Sequence, residues 1–539
     1  MARTLVIQLG RLGDVIQTTP LLAGLAAAGD EVDVLVLRSA HEPLVGFSAV
    51  ANIITIPDSL KPLDDAIARG FPLGKIPAEA HELLADLQLP RYGRVINASH
   101  APLGCWLGGA IPCNNPCARY GGVIRDRECL YLGLASSYRV ALLQFREQNL
   151  FNVVDLLRAS HGAAPPTQQP CLYANRSADL SFALPAGRKV ALNPGASEAV
   201  RCWPAENFAL LAEALSAAGF TPILVGAPSD RELCEKIQSA SRVPITNLAG
   251  RTTIPEMATL LARCELLISA DTGAAHLAAA VGTTVVGLYG ATAWFAETAP
   301  YGDNHIILQT PLNAPMSAIS LDAVLAAALN RLDRLSTDDF SQELRKHNQC
   351  AWETSIHPPL NTATGDLLGG LMYRPLHRNA GTPDELFAQY SRQAFAVEFV
   401  TPTDTSALKE SNSYAIDSLT QIFEHMETLA ISCAESTRTR SASIEISAAA
   451  HALIATMEKL HALVAEAKWR RFSPVIHNLD WQLRMLAPQS AEDTFRAHAD
   501  AYASATRVLQ RTIRIARNMR EENETGAKGW SRRRFVWRS

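Results

Sequence analysis

Residues 264–290 read C-E-L-L-I-S-A-D-T-G-A-A-H-L-A-A-A-V-G-T-T-V-V-G-L-Y-G. The apolar run Leu266–Ile268 predicts a buried strand, and Gly273–Val281 has helical composition. The dipeptide Asp271–Thr272 therefore occupies a strand-to-helix turn, and Thr283–Leu288 predicts the next buried strand. This alternation predicts an α/β fold with a parallel sheet.

The turn at the start of this helix is suited to a phosphate. The first amide groups of a helix have no partners within it and carry its positive end. Gly273 lets a ligand approach closely, and His276, four residues after Thr272, reaches the same pocket. Ligands of open α/β sheets bind at the carboxyl ends of the strands, so we expect one here. The alternative is that Asp271 is only an N-cap and His276 only a polar residue on the helix flank.

The composition is that of an ordinary globular protein with room for two or three domains: 539 residues, 48% apolar and 19% charged. A formal net charge of −4 argues against wholesale nucleic-acid binding. No apolar run approaches the length of a membrane span, and the first ten residues enter a strand pattern directly, so we expect a cytoplasmic protein.

The ten cysteines are scattered, which favours reduced thiols over a disulfide framework. Four of them are candidate ligands of a metal ion, but no C-x-x-C pair is present and their spacing does not follow the pattern of a metal site. The sequence therefore favours no metal at the cluster Cys105, Cys113, Cys117 and Cys129.

The N-terminal segment begins like a Rossmann fold. Thr4–Leu9 predicts a buried strand, the loop Gly10–Gly13 follows, Asp14–Ala28 predicts a helix, and Asp33–Leu37 the next strand. The loop lacks G-x-G-x-x-G, so a dinucleotide is not indicated. Asp14 lies in the first helical turn, where a carboxylate is stabilised as the anion. Its alternative role is that of an N-cap.

A second β/α series follows a proline-rich segment, His161–Pro170, which we interpret as the approach to a domain linker. The series starts with a strand at Lys189–Asn193 and continues through a strand at Pro222–Val225 to the stretch quoted above. Two βα domains are therefore predicted.

Two further strand ends of this series carry polar residues. The turn Asn193–Pro204 holds the cation Arg201, which could pair with an oxyanion bound by backbone amides. Asp230 and Glu232 follow another strand, a usual place for ribose hydroxyls. Together these ends indicate phosphate and ribose chemistry in one domain.

In their order, these motifs resemble glycosyltransferase family 9, the ADP-heptose:lipopolysaccharide heptosyltransferases and their relatives, over roughly residues 1–335. The resemblance implies a GT-B fold: two Rossmann-like domains facing a cleft, with the acceptor in the first (1–170) and the nucleotide sugar in the second (171–335). It rests on V-I-Q-L-G-R-L-G-D-V-I-Q-T-T-P, N-P-G-A-S with R-C-W-P, N-L-A-G-R-T-T-I-P-E, S-A-D-T-G-A-A-H-L-A-A-A-V-G-T and L-Y-G-A-T.

The resemblance also implies roles for single residues. Asp14 matches the proposed catalytic base, which deprotonates the acceptor hydroxyl. Arg201, the second catalytic residue, falls where the family typically has lysine, and this departure puts the donor's identity in doubt. The implied donor-binding residues are Ser197, Glu232 with Asp230 as a competitor for the ribose, Thr252 near the nucleobase, Asp271, Thr272, Gly273 and His276.

These expectations lead to an inverting, metal-independent glycosyltransferase that moves a sugar, heptose from ADP-heptose, to a lipopolysaccharide-core or related glycan. The departing diphosphate needs a metal or amides and cations, and the sequence has no Asp-x-Asp. No cofactor beyond the nucleotide-diphosphate sugar is expected. The alternatives are a sugar-nucleotide epimerase or hydrolase of the same fold, or a non-catalytic scaffold acting through its C-terminal extension.

Residues 336–539 lie outside the resemblance and are predicted to be mostly α-helical. Asp322–Leu332 is the last helix placed in the transferase unit, and loops with one or two short helices are expected over Ser336–Thr405. From Ile416 onward, apolar residues recur at intervals of three and four residues, which predicts a helical bundle. Self-association or binding of a partner through one face of this bundle stays open.

The basic, aromatic tail from Lys528 has two interpretations: a solvated tail, or attachment to an anionic membrane surface at the inner face of the inner membrane.

Overall fold

A computed structural model shows the architecture of the chain. It describes residues 2–59, 63, 65–67, 77–115, 118–125, 128–132, 134–141, 146, 149, 151–159, 170–357 and 370–376. Two mainly parallel sheets lie in one compact unit.

The first sheet has six strands in the order β3-β2-β1-β4-β5-β6, and only the β5–β6 pair is antiparallel. The order of the parallel strands reverses between β1 and β4, as in a Rossmann fold. The strands are β1 (Arg3–Gln8), β2 (Glu31–Leu37), β3 (Asn52–Ile56), β4 (Arg94–Asn97), β5 (Arg119–Arg125) and β6 (Glu128–Leu132).

The second sheet has eight strands in the order β14-β13-β12-β11-β10-β7-β8-β9. Strands β7 to β12 are parallel, and their order reverses between β7 and β10. They are β7 (Arg188–Asn193), β8 (Phe220–Leu224), β9 (Thr246–Asn247), β10 (Leu266–Ala270), β11 (Thr284–Ala291), β12 (Ile306–Leu312), β13 (Cys350–His357) and β14 (Gly370–Pro375).

Helices connect the strands of both sheets. Those of the first half are α1 (Leu12–Ala27), α2 (Ala78–Asp86), α3 (Pro102–Ala110), α4 (Leu134–Ala141) and α5 (Val153–Ala159). Those of the second half are α6 (Ala205–Ala217), α7 (Arg231–Ala240), α8 (Ile254–Leu261), α9 (Gly273–Ala280), α10 (Phe295–Thr298), α11 (Leu321–Arg331) and α12 (Thr337–Lys346).

The core has layers on both faces of the sheets. Successive side chains of a strand point to opposite faces. Val6 in β1 and Leu267 in β10 belong to one apolar cluster that contains residues from both halves. Their neighbour Leu5 packs in a second cluster and Leu266 in a third, each confined to one half. The central cluster therefore joins the two α/β halves.

The predicted fold class, α/β of GT-B type with two Rossmann-like domains, is confirmed by these two sheets. The strands and helices expected around the motifs are present with shifts of a few residues at their ends. The β5–β6 hairpin and the strands β9 and β12 were not predicted. Two glycines interrupt β5, and β9 is only two residues long, so neither carries a periodic apolar pattern.

The second sheet continues past residue 335, the predicted end of the donor domain. Loops with short helices were expected there, but Cys350–His357 and Gly370–Pro375 form two antiparallel strands at one end of the sheet. Helix α12 packs Phe340 and Leu344 into the cluster of the second half. The expectation of loops is therefore wrong for these strands, while the three-part division of the chain stays a prediction.

Several predicted features lie outside the described residues. These are most of the proline-rich approach to the linker, the helical bundle from Ile416 and the basic tail from Lys528. Within the described part of the chain, no helix combines the length and apolar character needed to cross a bilayer.

Phe340 tests whether α12 is an integral part of this unit. Its side chain is fully buried, so Phe340→Ala should lower the free energy of unfolding by about 3–5 kcal/mol. Urea unfolding of the full chain, followed by tryptophan fluorescence, measures this loss. Leu210→Ala is the matched control because Leu210 is 46% exposed. Equal, small effects of both substitutions would show that α12 does not contribute to the core.

Candidate active site

The beginnings of helices α1 and α9 meet at two glycines. A Cβ atom on Gly13 would lie 2.7 Å from Cδ2 of His276, and one on Gly273 would lie 3.5 Å from Cδ2 of Leu12. A Cβ contact under 3.0 Å requires a shift, so Gly13 allows the imidazole to approach the first turn of α1. The two halves thus place their helix starts side by side.

Both helix starts lie at the carboxyl ends of central strands. Helix α1 follows β1 and α9 follows β10, and the strand order reverses beside each of them. Such switch points are where open α/β sheets bind ligands. The junction therefore combines the expected ligand sites of two sheets.

Asp14 is the third residue of α1, whose N-cap is Arg11. Its Oδ2 accepts a hydrogen bond from the Arg11 amide at 2.9 Å. The carboxylate lies over Gly10, where a Cβ atom would be 2.6 Å from Oδ2. Asp14 is thus not the N-cap itself, although its carboxylate fixes the turn that begins the helix.

Asp271 belongs to a charged cluster around Arg201. Nη1 of Arg201 lies 3.5 Å from Oδ2 of Asp271, and Nη2 lies 3.3 Å from Oε1 of Glu198. Nε donates to Oγ1 of Thr292 at 2.6 Å. Nε2 of His276 is 4.0 Å from Oδ1 of Asp271. The structure therefore brings together Arg201, Asp271 and His276, three of the predicted site residues.

Thr272, not Asp271, is the N-cap of α9, and its side chain makes no capping hydrogen bond. Its hydroxyl instead lies 2.9 Å from Oγ of Ser269 and accepts from Nδ2 of Asn193 at 3.1 Å. Asn193 ends β7 and Ser269 lies in β10, so this network ties the turn to both strands at the switch point. The alternative role of Asp271 as an N-cap is wrong.

His276 is a buried imidazole at the junction. Burial lowers its pKa to about 4, although the nearby Asp14 carboxylate acts in the opposite direction. Its Nδ1 is buried and has no hydrogen-bond partner among the described residues. The side chain is therefore neutral at physiological pH and contributes a dipole rather than a charge.

The other predicted donor contacts lie at neighbouring strand ends. Asp230 lies against Gly195 and Gly226, where Cβ atoms would be 2.2 Å and 2.8 Å from its carboxyl atoms. Glu232 is 81% exposed and pairs with Lys236 at 2.7 Å. The carboxylate at the ends of β7 and β8 is therefore Asp230, and Glu232 is turned to solvent.

Ser197 and Thr252 are the remaining predicted donor-binding residues. Ser197 is exposed in the loop after β7. Thr252 is half-buried and precedes Thr253, which caps α8 by accepting from the Glu256 amide. Their roles in donor binding stay predictions.

Comparison with known proteins identifies part of the chain. Residues 137–319 match the model of glycosyltransferase family 9 (heptosyltransferase). These residues form a family 9 domain. The resemblance stated from the motifs is therefore confirmed for this region, as is the assignment of the domain to a family of glycosyltransferases.

Curated relatives match a shorter part of the chain. Lipopolysaccharide heptosyltransferase 3 of Escherichia coli is 36% identical over 106 residues, 19% of this chain and 31% of that protein. Lipopolysaccharide core heptosyltransferase OpsX of Haemophilus influenzae is 33% identical over 118 residues, 22% and 34% of the two chains. The chain spans about a third of the length of these relatives.

Solved structures match over a longer range at lower identity. E. coli ADP-heptose lps heptosyltransferase II is 21% identical, with a TM-score of 0.44, over 62% of this chain and 99% of that one. The family 9 glycosyl transferase of Veillonella parvula is 18% identical, with a TM-score of 0.46, over 61% and 97%.

Sequence reasoning missed three side chains near the predicted site residues. Glu198 and Thr292 contact Arg201, and Tyr289 donates to the Thr298 carbonyl at 2.9 Å. Burial, and then the charge of Asp271, raise the pKa of Tyr289, so its phenol stays protonated. Tyr289 and Thr292 lie in the segment L-Y-G-A-T. Its position at a strand end was the sequence signal that could have indicated these two residues.

The loosely spaced cysteine cluster lies only partly within the described residues. Cys105 and Cys113 are buried, whereas Cys117 and the side chain of Cys129 lie outside the described residues. Among the residues that the structure describes, no group of three or more His, Cys, Asp or Glu side chains could hold a metal ion.

The low pKa of His276 predicts a pH dependence of stability. Below the ordinary value of 6.5 and down to about 4, the unfolded chain binds a proton that the folded protein does not. The free energy of unfolding therefore falls as the pH decreases through this window. Between about pH 7.5 and about pH 5, linkage gives a loss of roughly 2 kcal/mol from this residue.

Urea unfolding at the two pH values, with the wild type and His276→Gln, measures this contribution. The variant should lose roughly 2 kcal/mol less than the wild type on acidification. His305, whose pKa burial and then Arg331 lower to about 3, contributes equally to both proteins and cancels in the comparison. Identical losses in the two proteins would contradict the assignment of a neutral, buried His276.

Proposed function

We propose that this chain is an inverting, metal-independent glycosyltransferase that moves a sugar from a nucleotide-diphosphate donor, heptose from ADP-heptose, to a lipopolysaccharide-core or related glycan. The family 9 domain supports the reaction class. The names of the curated relatives, which are lipopolysaccharide and lipooligosaccharide heptosyltransferases, support the choice of sugar and acceptor.

One observation carries the proposal: the first helical turn of the acceptor half adjoins the strand-to-helix turn of the donor half. Asp14 follows Gly13, whose Cα faces the imidazole of His276. The charge of Asp14 also acts on that imidazole. A base on one domain and an anion site on the other are thus neighbours, as transfer between two bound substrates requires.

The proposed reaction transfers the sugar directly from the diphosphate to the acceptor. Asp14 takes the proton of an acceptor hydroxyl as the oxygen attacks the anomeric carbon of the donor sugar. A new carbon–oxygen bond forms on the face opposite the leaving group, and the bond to the diphosphate oxygen breaks. The configuration at the anomeric carbon inverts, and the nucleoside diphosphate leaves with the bonding electron pair.

The departing diphosphate needs compensation for its negative charge. Arg201 offers a planar guanidinium with several N–H donors that match phosphate oxygens. The start of α9 adds the positive end of a helix whose cap side chain does not occupy its amides. These groups supply leaving-group stabilisation from the protein itself.

An assay of the full chain tests the proposal. The protein is incubated with ADP-heptose, and in parallel with other nucleotide sugars, in EDTA, with and without lipopolysaccharide-core acceptors. We expect acceptor-dependent release of ADP and a product of inverted anomeric configuration. Donor turnover without acceptor would favour an epimerase or hydrolase, and the absence of donor binding in calorimetry would favour a non-catalytic scaffold.

Asp14 and Asp271 should respond differently to the same substitution. Asp14→Asn should lower kcat by about 100-fold or more, the usual effect of losing a general base, with little change in donor affinity. Asp271→Asn should instead weaken binding of the nucleotide sugar, because a carboxylate accepts stronger hydrogen bonds from sugar hydroxyls than an amide does. Steady-state kinetics, and calorimetry of both variants with the intact nucleotide sugar, separate these effects. Near-normal turnover by Asp14→Asn would leave Asp14 as a helix-capping residue only.

A further inference from the structure

Arg201 is held by three neighbours at unequal distances. Its Nε donates to Oγ1 of Thr292 at 2.6 Å, whereas Nη2 and Oε1 of Glu198 are 3.3 Å apart, and Nη1 and Oδ2 of Asp271 are 3.5 Å apart. Hydrogen bonds between a nitrogen donor and an oxygen acceptor usually span about 2.7–3.2 Å, so the contacts with the two carboxylates are longer than usual. The Nε side of the guanidinium is therefore fixed, and the Nη1 side is the one most easily released to a ligand.

Thr292 is itself braced on its other side. Its hydroxyl donates to Oε2 of Glu198 at 3.2 Å while it accepts from Arg201. The other carboxylate oxygen of Glu198 faces Nη2 of the same arginine. Arg201, Thr292 and Glu198 thus form a closed ring of contacts that limits the rotation of the long arginine side chain.

The backbone before Thr292 is shaped for this contact. Ala291 has a φ of 50°, in the left-handed region that non-glycine residues rarely adopt, and the register of β11 against β12 shifts between Tyr289 and Ala291. Irregularities of this kind at a strand end redirect the side chain that follows and concentrate at functional sites. The amide of Asn313 donates to the Ala291 carbonyl at 2.7 Å and stabilises the turn.

We propose that Thr292 is a positioning residue that orients the Arg201 guanidinium for the diphosphate of the donor. This inference rests on the proposed function. It also gives a physical account of arginine at position 201. Lysine ends in a rotatable ammonium rather than a planar fork, so a hydrogen bond to a threonine would not fix the direction of its remaining donors as it does for a guanidinium.

Calorimetry of nucleotide binding tests the inference, with ADP and AMP as the probes and UDP and GDP as further diphosphates. Thr292→Val keeps the shape of the side chain and removes the hydroxyl. It should weaken ADP binding roughly fivefold to tenfold, since a hydrogen bond to a charged group is lost at an exposed threonine. AMP has no β-phosphate, so its affinity should change less. Thr292→Ser should restore ADP binding.

A double-mutant cycle distinguishes positioning from direct contact. In an Arg201→Lys background, Thr292→Val should have little further effect, because its action passes through the arginine. Equal loss in both backgrounds would overturn the positioning role. Thr337→Val, at an exposed threonine in the first turn of α12, is the matched control and should leave ADP affinity unchanged. Thermal unfolding of each variant verifies that it folds.

Different results would contradict the proposed function and the positioning role of Thr292. Wild-type protein that binds none of the diphosphates would overturn the proposed function and this inference together. Wild-type binding of ADP that Thr292→Val leaves unchanged would overturn the inference alone.

Discussion

The close approach of α1 to α9 is the constraint on which the site depends. The imidazole of His276 occupies the space that a side chain at position 13 would need. Each helix begins at the carboxyl end of a central strand, so the contact aligns the switch points of the two sheets. A larger residue at position 13 would separate the two helix starts, and with them Asp14 from Asp271, without altering either sheet.

The local elements around the motifs were predictable because their signals are local. Strands β1 and β10 are short apolar runs followed by turns and helices, and burial on both faces of a parallel sheet produces such runs. Several of the elements that escaped prediction have mixed patterns. Strand β14, for example, reads G-L-M-Y-R-P and lies at a sheet edge, where polar residues are tolerated and periodicity is lost.

The position of the candidate residues at strand ends was predictable, but the contacts between them were not. The motifs place Arg201 and Asp271 at strand ends of one sheet, and the strand order then determines that β7 and β10 are neighbours. Sequence patterns do not encode that order. The orientation of side chains was also inaccessible: Asp230 and Glu232 are two residues apart, yet one lies against the glycines of the strand ends and the other pairs with Lys236 in solvent.

The two carboxylates at the junction have different surroundings, and this difference suits two different tasks. Asp271 has a cation, Arg201, at 3.5 Å, so part of its charge is neutralised within the second half of the chain's α/β unit. Asp14 contacts a backbone amide, and the imidazole near it is uncharged. In the proposed reaction, Asp271 therefore serves to hold Arg201, and Asp14 meets the acceptor beside a ring that burial keeps uncharged.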